Sequence, residues 1–155
     1  MMEAKVVWQE KMAFQGSADT GFEISIDAAE AVGGENNGLR PMELIAIGFA
    51  GCTAMDVISI LKKKREDITS FGVKVHVDQA ETHPKVFTKA VIEYTISGRH
   101  VSESAVMRSI ELSATRYCPA QAMFNQLFPI DLKFTIYEDK GNGADELVAS
   151  GELHF

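Results

Sequence analysis

Hydrophobic and polar residues alternate with a period of two in several stretches of the chain, a pattern typical of half-buried β-strands. In residues 21–27, for example, the apolar Phe22, Ile24 and Ile26 occupy every second position. Strands are predicted at residues 4–14, 21–27, 73–78, 89–96 and 131–138, and the last residues are predicted to add an edge strand after the loop-like segment KGNGADEL. The segments GSADTG and ETHPK supply the turn-forming residues of the predicted hairpins.

A helical period of three to four replaces this alternation in three segments. Helices are predicted at residues 41–64, 103–117 and 119–127, and a polar loop rich in Gly and Asn is predicted at residues 28–40. Pro41 suits the first position of the long helix, and Ser102 is the predicted N-cap of the next one. The long helix is apolar on nearly every face, which predicts burial on most of its sides.

Strands in hairpin groups, separated by helices, are typical of an α+β fold with mainly antiparallel sheets around a long buried central helix. The 155 residues suffice for one domain, predicted to span residues 1–155. The long helix carries more apolar surface than a monomer of this size is expected to cover. An obligate homodimer built around this helix is therefore predicted.

Charge and composition exclude several classes of protein. The net charge is −7, so no nucleic-acid partner is expected. The uncharged run at residues 44–55 ends at Asp56 and is too short for a membrane span, so no membrane partner is expected. The charged N-terminal residues do not resemble a signal peptide, and two cysteines do not form a disulfide scaffold in a chain of this length. A cytoplasmic protein with reduced thiols is expected.

The two cysteines, Cys52 and Cys118, are the candidates for chemistry. Cys52 lies in the middle of the apolar helix, where a thiolate would need a positive partner from elsewhere in the fold. Cys118 lies directly before Pro119, at or near a helix N-cap whose free N–H groups can stabilise a thiolate. From the residues themselves, two interpretations stay open: unrelated core residues, or a thiol pair that meets in the fold.

Other catalytic and binding motifs are missing from the sequence. The four histidines lack metal-ligand spacing, so no metal site is expected; they are His76, His83, His100 and His154. Gly33 and Gly34 are not followed by the Gly-Lys-Ser/Thr of a phosphate-binding loop, and no cofactor is expected.

Two segments carry a family resemblance. RPMELIAIGFAGCTAMDV resembles the central-helix motif of the OsmC/Ohr family, the osmotically inducible and organic-hydroperoxide-resistance proteins. RYCPAQAMFNQL resembles the second cysteine motif of the same family, and the order of predicted elements agrees over residues 4–138. The resemblance implies an intertwined α+β homodimer with two active sites at the dimer interface.

The resemblance also implies a function, a thiol-dependent peroxidase that reduces organic hydroperoxides. Cys52 would attack the peroxide and become a sulfenic acid, and Cys118 would condense with it to a disulfide that a thiol or dithiol reductant opens. Apolar residues would favour organic peroxides over hydrogen peroxide; they are Ile45, Phe49, Met55, Met123 and Phe124. The alternative is a catalytically weak or inactive dimer that binds a small hydrophobic ligand in a stress response.

The sequence departs from the family's active pattern in its activating residues. Active members use an arginine from the early strands and a helix glutamate directly after the proline, whereas residues 4–27 contain no arginine and Met42 follows Pro41. Glu43 comes one residue later, as in a divergent OsmC-like branch. Arg40 and Glu43 are therefore the candidate supporting pair, and Arg99 and Arg116 are further candidate cations.

Overall fold

The computed structural model describes residues 1–141 and 143–155 of the chain. Its internal contacts divide into two compact units, Met1–Ala46 and Ile47–Phe155. The long helix α1, Pro41–Lys63, begins in the first unit and continues in the second. The assignment of residues 1–155 to one domain stays a prediction.

The first unit contains a three-stranded antiparallel sheet in the order β1-β2-β3. Its strands are β1, Ala4–Glu10, β2, Ala13–Ala18, and β3, Glu23–Ile26. The prediction of one strand over residues 4–14 is wrong, because the chain turns at Lys11, which has a φ of 48°. The indole of Trp8 donates a hydrogen bond to the Lys11 carbonyl at 2.9 Å and closes this turn. The turn lacks Gly, Pro, Asn and Asp, so no local pattern predicts it.

Asp27 organises the loop between β3 and α1. Its side chain is buried, and its carboxylate accepts hydrogen bonds from the backbone N–H groups of Ala28, Glu35 and Asn37 at 2.7, 2.9 and 3.0 Å. These bonds, that of Asn37 foremost, hold the pKa of Asp27 below its usual range. The loop also needs Gly34, because a Cβ there would lie 1.9 Å from the Ala28 carbonyl oxygen.

The second unit contains a four-stranded sheet in the order β4-β5-β6-β7. Its elements are β4, Asp67–Gln79, β5, Phe87–Arg99, α2, Glu103–Leu112, α3, Pro119–Phe124, β6, Ile130–Asp139, and β7, Asp145–Leu153. The pairs β4–β5 and β6–β7 are antiparallel, whereas β5 and β6 are parallel. Parallel neighbours need a crossover connection, and α2 and α3 provide it.

These observations confirm the predicted α+β class with mainly antiparallel sheets and the predicted final strand. Part of the predicted KGNGADEL loop belongs to β7, and Asn142 within that segment lies outside the described residues. The parallel pairing of β5 with β6 was not predicted, because a period of two indicates a strand but not its partner.

One stripe of α1 is buried within the chain. Phe49, Thr53, Val57 and Leu61 recur every four residues and are at most 1% exposed. The core of the second unit faces them with apolar side chains of the central strands; these include Ile92, Tyr94 and Ile96 of β5 and Leu132, Phe134 and Ile136 of β6. Met55, by contrast, is 74% exposed, so another face of α1 stays uncovered by this chain.

The length and hydropathy of α1 also meet the requirements of a membrane-crossing helix: an 18-residue window has a mean hydropathy of 2.0. The core helix of a soluble protein meets the same requirements, so this property is weak support for a membrane span.

The prediction of a regular helix over residues 103–117 is wrong in its last turn. Regular α-helix ends at Leu112, and Ser113–Tyr117 form a wider π turn. Ser102 is the N-cap, as predicted, and its hydroxyl accepts from the N–H of Ala105 at 3.3 Å. The predicted α3 ends at Phe124 and not at residue 127.

The Asp27 contacts generate a prediction for the substitution Asp27→Asn. A carboxylate whose pKa is lowered in the folded protein stabilises it above the unfolded pKa of about 4, and this stabilisation is lost as pH falls through the folded value. We therefore expect a lower melting temperature for the variant at pH 7 and a smaller difference in acid. Thermal melts across this pH range measure it, with the exposed Asp19→Asn as the control. A pH-independent difference would contradict the expectation.

Candidate active site

The structure brings Cys52 and Cys118 into contact. The Cys118 thiol donates a hydrogen bond to Cys52 Sγ at a sulfur–sulfur distance of 3.1 Å, although 66 residues separate the two positions. Both cysteines are free thiols. The interpretation of the pair as unrelated core residues is therefore wrong. The two sulfurs are close enough to form a disulfide after a small movement.

Cys118 is held at the junction between the π turn and α3. It is the N-cap of α3, and its sulfur accepts from the N–H of Gln121 at 3.4 Å. Pro119 occupies the first turn of this helix, as the sequence predicted. On the other side, the N–H of Cys118 donates to the carbonyl of Ser113 at 2.9 Å, a bond over five residues that defines the wider turn.

The surroundings of Cys118 keep its thiol protonated. The residue is 2% exposed, and its burial is the main cause that raises its pKa to about 12. The hydrogen bond to Cys52 and the negative charge of Asp56 raise the pKa further, whereas the N–H of Gln121 lowers it. In the sulfur–sulfur contact, Cys118 is the donor.

A chain of four polar side chains, three of them buried and the last half-buried, lies beside the cysteine pair. Tyr94 Oη is 2.6 Å from Thr53 Oγ1, which is 2.9 Å from Ser113 Oγ. Ser113 Oγ in turn donates to Asp56 Oδ2 at 3.2 Å. Burial raises the pKa of Tyr94, so its phenol also keeps its proton. These four residues are the hydroxyl chain of the site.

Aromatic rings hold α3 against α1 and the sheet. Phe124 of α3 packs edge-on against Phe49 of α1, with ring centroids 4.9 Å apart. It also stacks at 5.5 Å on Phe128, which packs at 6.2 Å against Phe87 of β5. Such pairs contribute about 1 kcal/mol each beyond the area they bury.

The residues of the hydroxyl chain were missed by sequence reasoning. Asp56 had a visible signal, since it is the one charged residue in the apolar run 44–61 and lies one helical turn after Cys52. Ser113 and Thr53 had a weaker one, because small hydroxyl residues are common on buried helix faces. Their joint role depends on tertiary contacts that the local pattern does not record.

Arg40 and Glu43 lie in the first unit and contact each other at the start of α1. The backbone N–H of Arg40 donates to Glu43 Oε2 at 2.8 Å, the arrangement of a capping box. The Arg40 guanidinium donates to the carbonyls of Asp27 and Gly38, both at 3.2 Å, and to the side chain of Asn36. Their part in activating Cys52 stays a prediction.

The other candidate cations have partners of their own. The guanidinium of Arg116 lies over the ring of Tyr117, 5.6 Å from its centroid, and Arg99 contacts Asp67 at 3.5 Å. Within the described part of the second unit, neither Cys52 nor Asp56 forms a hydrogen bond or ion pair with a lysine or arginine. The apolar residues expected around the substrate differ in exposure: Phe49 is buried, whereas Ile45, Met55 and Met123 are exposed.

The described residues, 1–141 and 143–155, contain no group of three or more His, Cys, Asp or Glu side chains placed to hold a metal ion. The site described above is made of two thiols and the hydroxyl chain, which ends in the carboxylate of Asp56.

Comparison with known proteins places these motifs in a family. Residues 34–133 match the family described as OsmC-like protein. The chain is 31% identical to protein YhfA of Escherichia coli (strain K12) over 135 residues, which are 87% of this chain and 98% of that protein. The family match, over residues 34–133, covers both cysteine motifs.

Solved structures share the same fold. A hypothetical protein from Aquifex aeolicus is 26% identical and aligns with a TM-score of 0.79 over 90% of this chain and 98% of its own. An organic hydroperoxide resistance protein OsmC from Legionella pneumophila is 16% identical, with a TM-score of 0.64 over 85% of this chain and 94% of its own. The family match and the YhfA identity confirm the resemblance seen in the sequence, and the chain belongs to the OsmC-like family.

Proposed function

We propose that the protein is a thiol-dependent peroxidase that reduces organic hydroperoxides. The Cys52 thiolate attacks the outer peroxide oxygen, so that an S–O bond forms and the O–O bond breaks. The organic part leaves as an alkoxide that takes up a proton, and Cys52 becomes a sulfenic acid. The observation that carries this proposal is the 3.1 Å contact between Cys52 and Cys118, which provides a resolving thiol beside the attacking one.

In this proposal Cys52 attacks and Cys118 resolves, as the family resemblance implies. The burial that raises the pKa of Cys118 supports this assignment, because a thiol that keeps its proton is a poor attacking group. In the resolving step an S–S bond forms, the Cys118 S–H and Cys52 S–O bonds break, and the hydrogen leaves with the hydroxyl as water. A thiol or dithiol reductant then opens the disulfide and restores both cysteines.

Organic hydroperoxides are the proposed substrates for two reasons. The helix that carries Cys52 is apolar. Phe49, which lies about one turn before Cys52, packs against Phe124, the last residue of α3. The Legionella pneumophila structure with the same fold is described as an organic hydroperoxide resistance protein. An apolar approach would favour peroxides with a hydrocarbon group over hydrogen peroxide.

The supporting residues of this proposal are Arg40 and Glu43. Glu43 caps the helix that carries Cys52, and Arg40 joins the preceding loop to that helix start. We place the protein in the cytoplasm, where reducing conditions would keep both cysteines as thiols between turnovers.

The functional unit is proposed to be a homodimer. Ile47 and Met55 of α1 are 53% and 74% exposed, which leaves an apolar helix face without cover in a single chain. We expect sedimentation equilibrium to give twice the mass of the chain at micromolar concentration. A monomer under these conditions would contradict the dimer but not the cysteine chemistry.

Single-turnover experiments with cumene hydroperoxide test the peroxidase activity. We expect the wild-type protein to lose both thiols and form the Cys52–Cys118 disulfide. Cys52→Ser should abolish peroxide consumption, whereas Cys118→Ser should still react once and leave a sulfenic acid that dimedone traps. The matched pair of serine variants thus separates attack from resolution, and mass spectrometry identifies each product.

Persistence of both thiols in folded wild-type protein would overturn the proposal. The remaining candidate would then be the inactive dimer that binds a small hydrophobic ligand. A stoichiometric ligand in native mass spectrometry of the purified protein would support that candidate.

The electrostatics of Cys118 generate a prediction for Asp56→Asn. The amide oxygen of Asn can still accept from Ser113, but the negative charge that raises the pKa of Cys118 is gone. We therefore expect the pKa of Cys118 to fall below about 12 and the thiolate to appear at lower pH. The ¹³Cβ chemical shift of labelled Cys118, followed through an alkaline titration, measures this change. Glu111→Gln, which removes a surface carboxylate paired with Arg108, is the control. An unchanged or raised pKa would contradict the expectation.

A further inference from the structure

The hydroxyl chain links the helix that carries Cys52 to the turn that carries Cys118. Thr53, directly after Cys52, and Asp56, one turn later, both bond to the side chain of Ser113. The carbonyl of the same Ser113 accepts from the N–H of Cys118. Ser113 is therefore the one residue in the described chain that bonds both to α1 and to the backbone of Cys118.

The direction of the hydroxyl chain follows from its donors. An ionised carboxylate only accepts, so Ser113 gives its single hydrogen to Asp56. Thr53 must then donate to Ser113, and Tyr94 must donate to Thr53. Each of the three hydroxyls donates once, and Thr53 and Ser113 each also accept once. The order Tyr94, Thr53, Ser113, Asp56 is fixed, and no hydroxyl is free to turn away.

The π turn that precedes Cys118 explains why the side-chain bonds of Ser113 to α1 are needed. A regular α-helix would bond the N–H of Cys118 four residues back, but here the bond reaches five residues back to Ser113. Such a turn is less favourable than α-helix by itself. The side chain of Ser113, which is fully buried, ties the start of the turn to α1.

We propose that Ser113 is a positioning residue for disulfide formation, holding Cys118 Sγ within reach of Cys52 Sγ through its bonds to Thr53, Asp56 and the Cys118 N–H. The inference rests on the proposed peroxidase cycle and assigns Ser113 to the resolving step. In that step the Cys118 sulfur must meet the Cys52 sulfur while water departs. Reacting atoms held about 3 to 3.5 Å apart react much faster than freely moving ones.

The substitution Ser113→Ala tests this role, because it removes both side-chain bonds and leaves the backbone bond possible. Ser109→Ala is the matched control: Ser109 is equally buried one turn earlier on α2, but its hydroxyl bonds only to the carbonyl of Ala105, at 2.6 Å. Thr53→Val breaks the hydroxyl chain with little change in shape, and Thr53→Ser keeps the hydroxyl and should rescue it.

The readout is the rate of disulfide closure, measured separately from the rate of attack. We expect Ser113→Ala and Thr53→Val to slow closure by about 10- to 100-fold, the size of effect that a displacement of about 1 Å can produce. The sulfenic acid should accumulate and be trapped by dimedone, while its rate of formation stays near that of the wild type. Ser109→Ala and Thr53→Ser should close at the wild-type rate.

A second oxidant makes the test independent of the peroxidase proposal. Cys52 attacks oxidised glutathione, whose S–S bond breaks, so that a mixed disulfide forms on Cys52 and one glutathione is released. Attack by Cys118 then closes the Cys52–Cys118 bond and releases the second glutathione, which takes up the thiol hydrogen. If the wild type ignores hydroperoxides but closes with glutathione, the peroxidase proposal fails and the role of Ser113 is still measured. Closure by Ser113→Ala at the wild-type rate, in protein with native circular dichroism, would overturn the inference. Equal slowing by Ser109→Ala would overturn it too, because the effect would then be one of general stability.

Discussion

The site depends on one contact, the hydrogen bond between two sulfur atoms that the chain separates by 66 residues. Neither cysteine is on an element that could reach the other by local structure. Three features together set the sulfur–sulfur distance. They are the buried stripe of α1, the crossover formed by α2 and α3, and the packing of Phe49 against Phe124. A shift in any of them would separate the sulfurs, so the fold and the chemistry share the same determinants.

The polar groups beside this contact define the positions of side chains without adding to the free energy of unfolding that an apolar core would provide. Burying hydroxyl groups costs free energy unless each finds a partner, and an apolar core of equal volume would be as stable. In return, hydrogen bonds fix direction and distance more narrowly than apolar packing does. The hydrogen bonds from Tyr94 to Asp56 fix side-chain positions in this way beside the two sulfurs, which must approach each other in the proposed cycle. The ring contacts of Phe124 with Phe49 and Phe128 also hold α3 in place, but by apolar packing, which is less directional.

Much of the architecture was predictable because it is recorded in local patterns. Alternation of apolar residues gave the strands, Ser102 and Pro41 marked helix starts, and the segments around Cys52 and Cys118 were specific enough to identify the family. Other features depend on distant partners. The turn at Lys11 has no glycine, the π turn after Leu112 continues a helical pattern, and the hydroxyl chain joins three elements far apart in sequence. Arg40 and Glu43 were predicted as a supporting pair from their spacing, but the sequence could not show that Glu43 contacts the Arg40 backbone.

The large separation of the two cysteines along the chain has a thermodynamic consequence. In the chain-entropy account, a crosslink that closes a loop of this length raises the free energy of the unfolded state by about 4 kcal/mol. A cycle that closes and opens the bond would therefore switch the resistance of the whole unit to unfolding at every turnover, a difference that urea titration of the two redox forms measures. In the proposed cycle the disulfide form would be the more resistant to unfolding, and the reduced form, which would meet the substrate, would allow larger movements of α1 and α3.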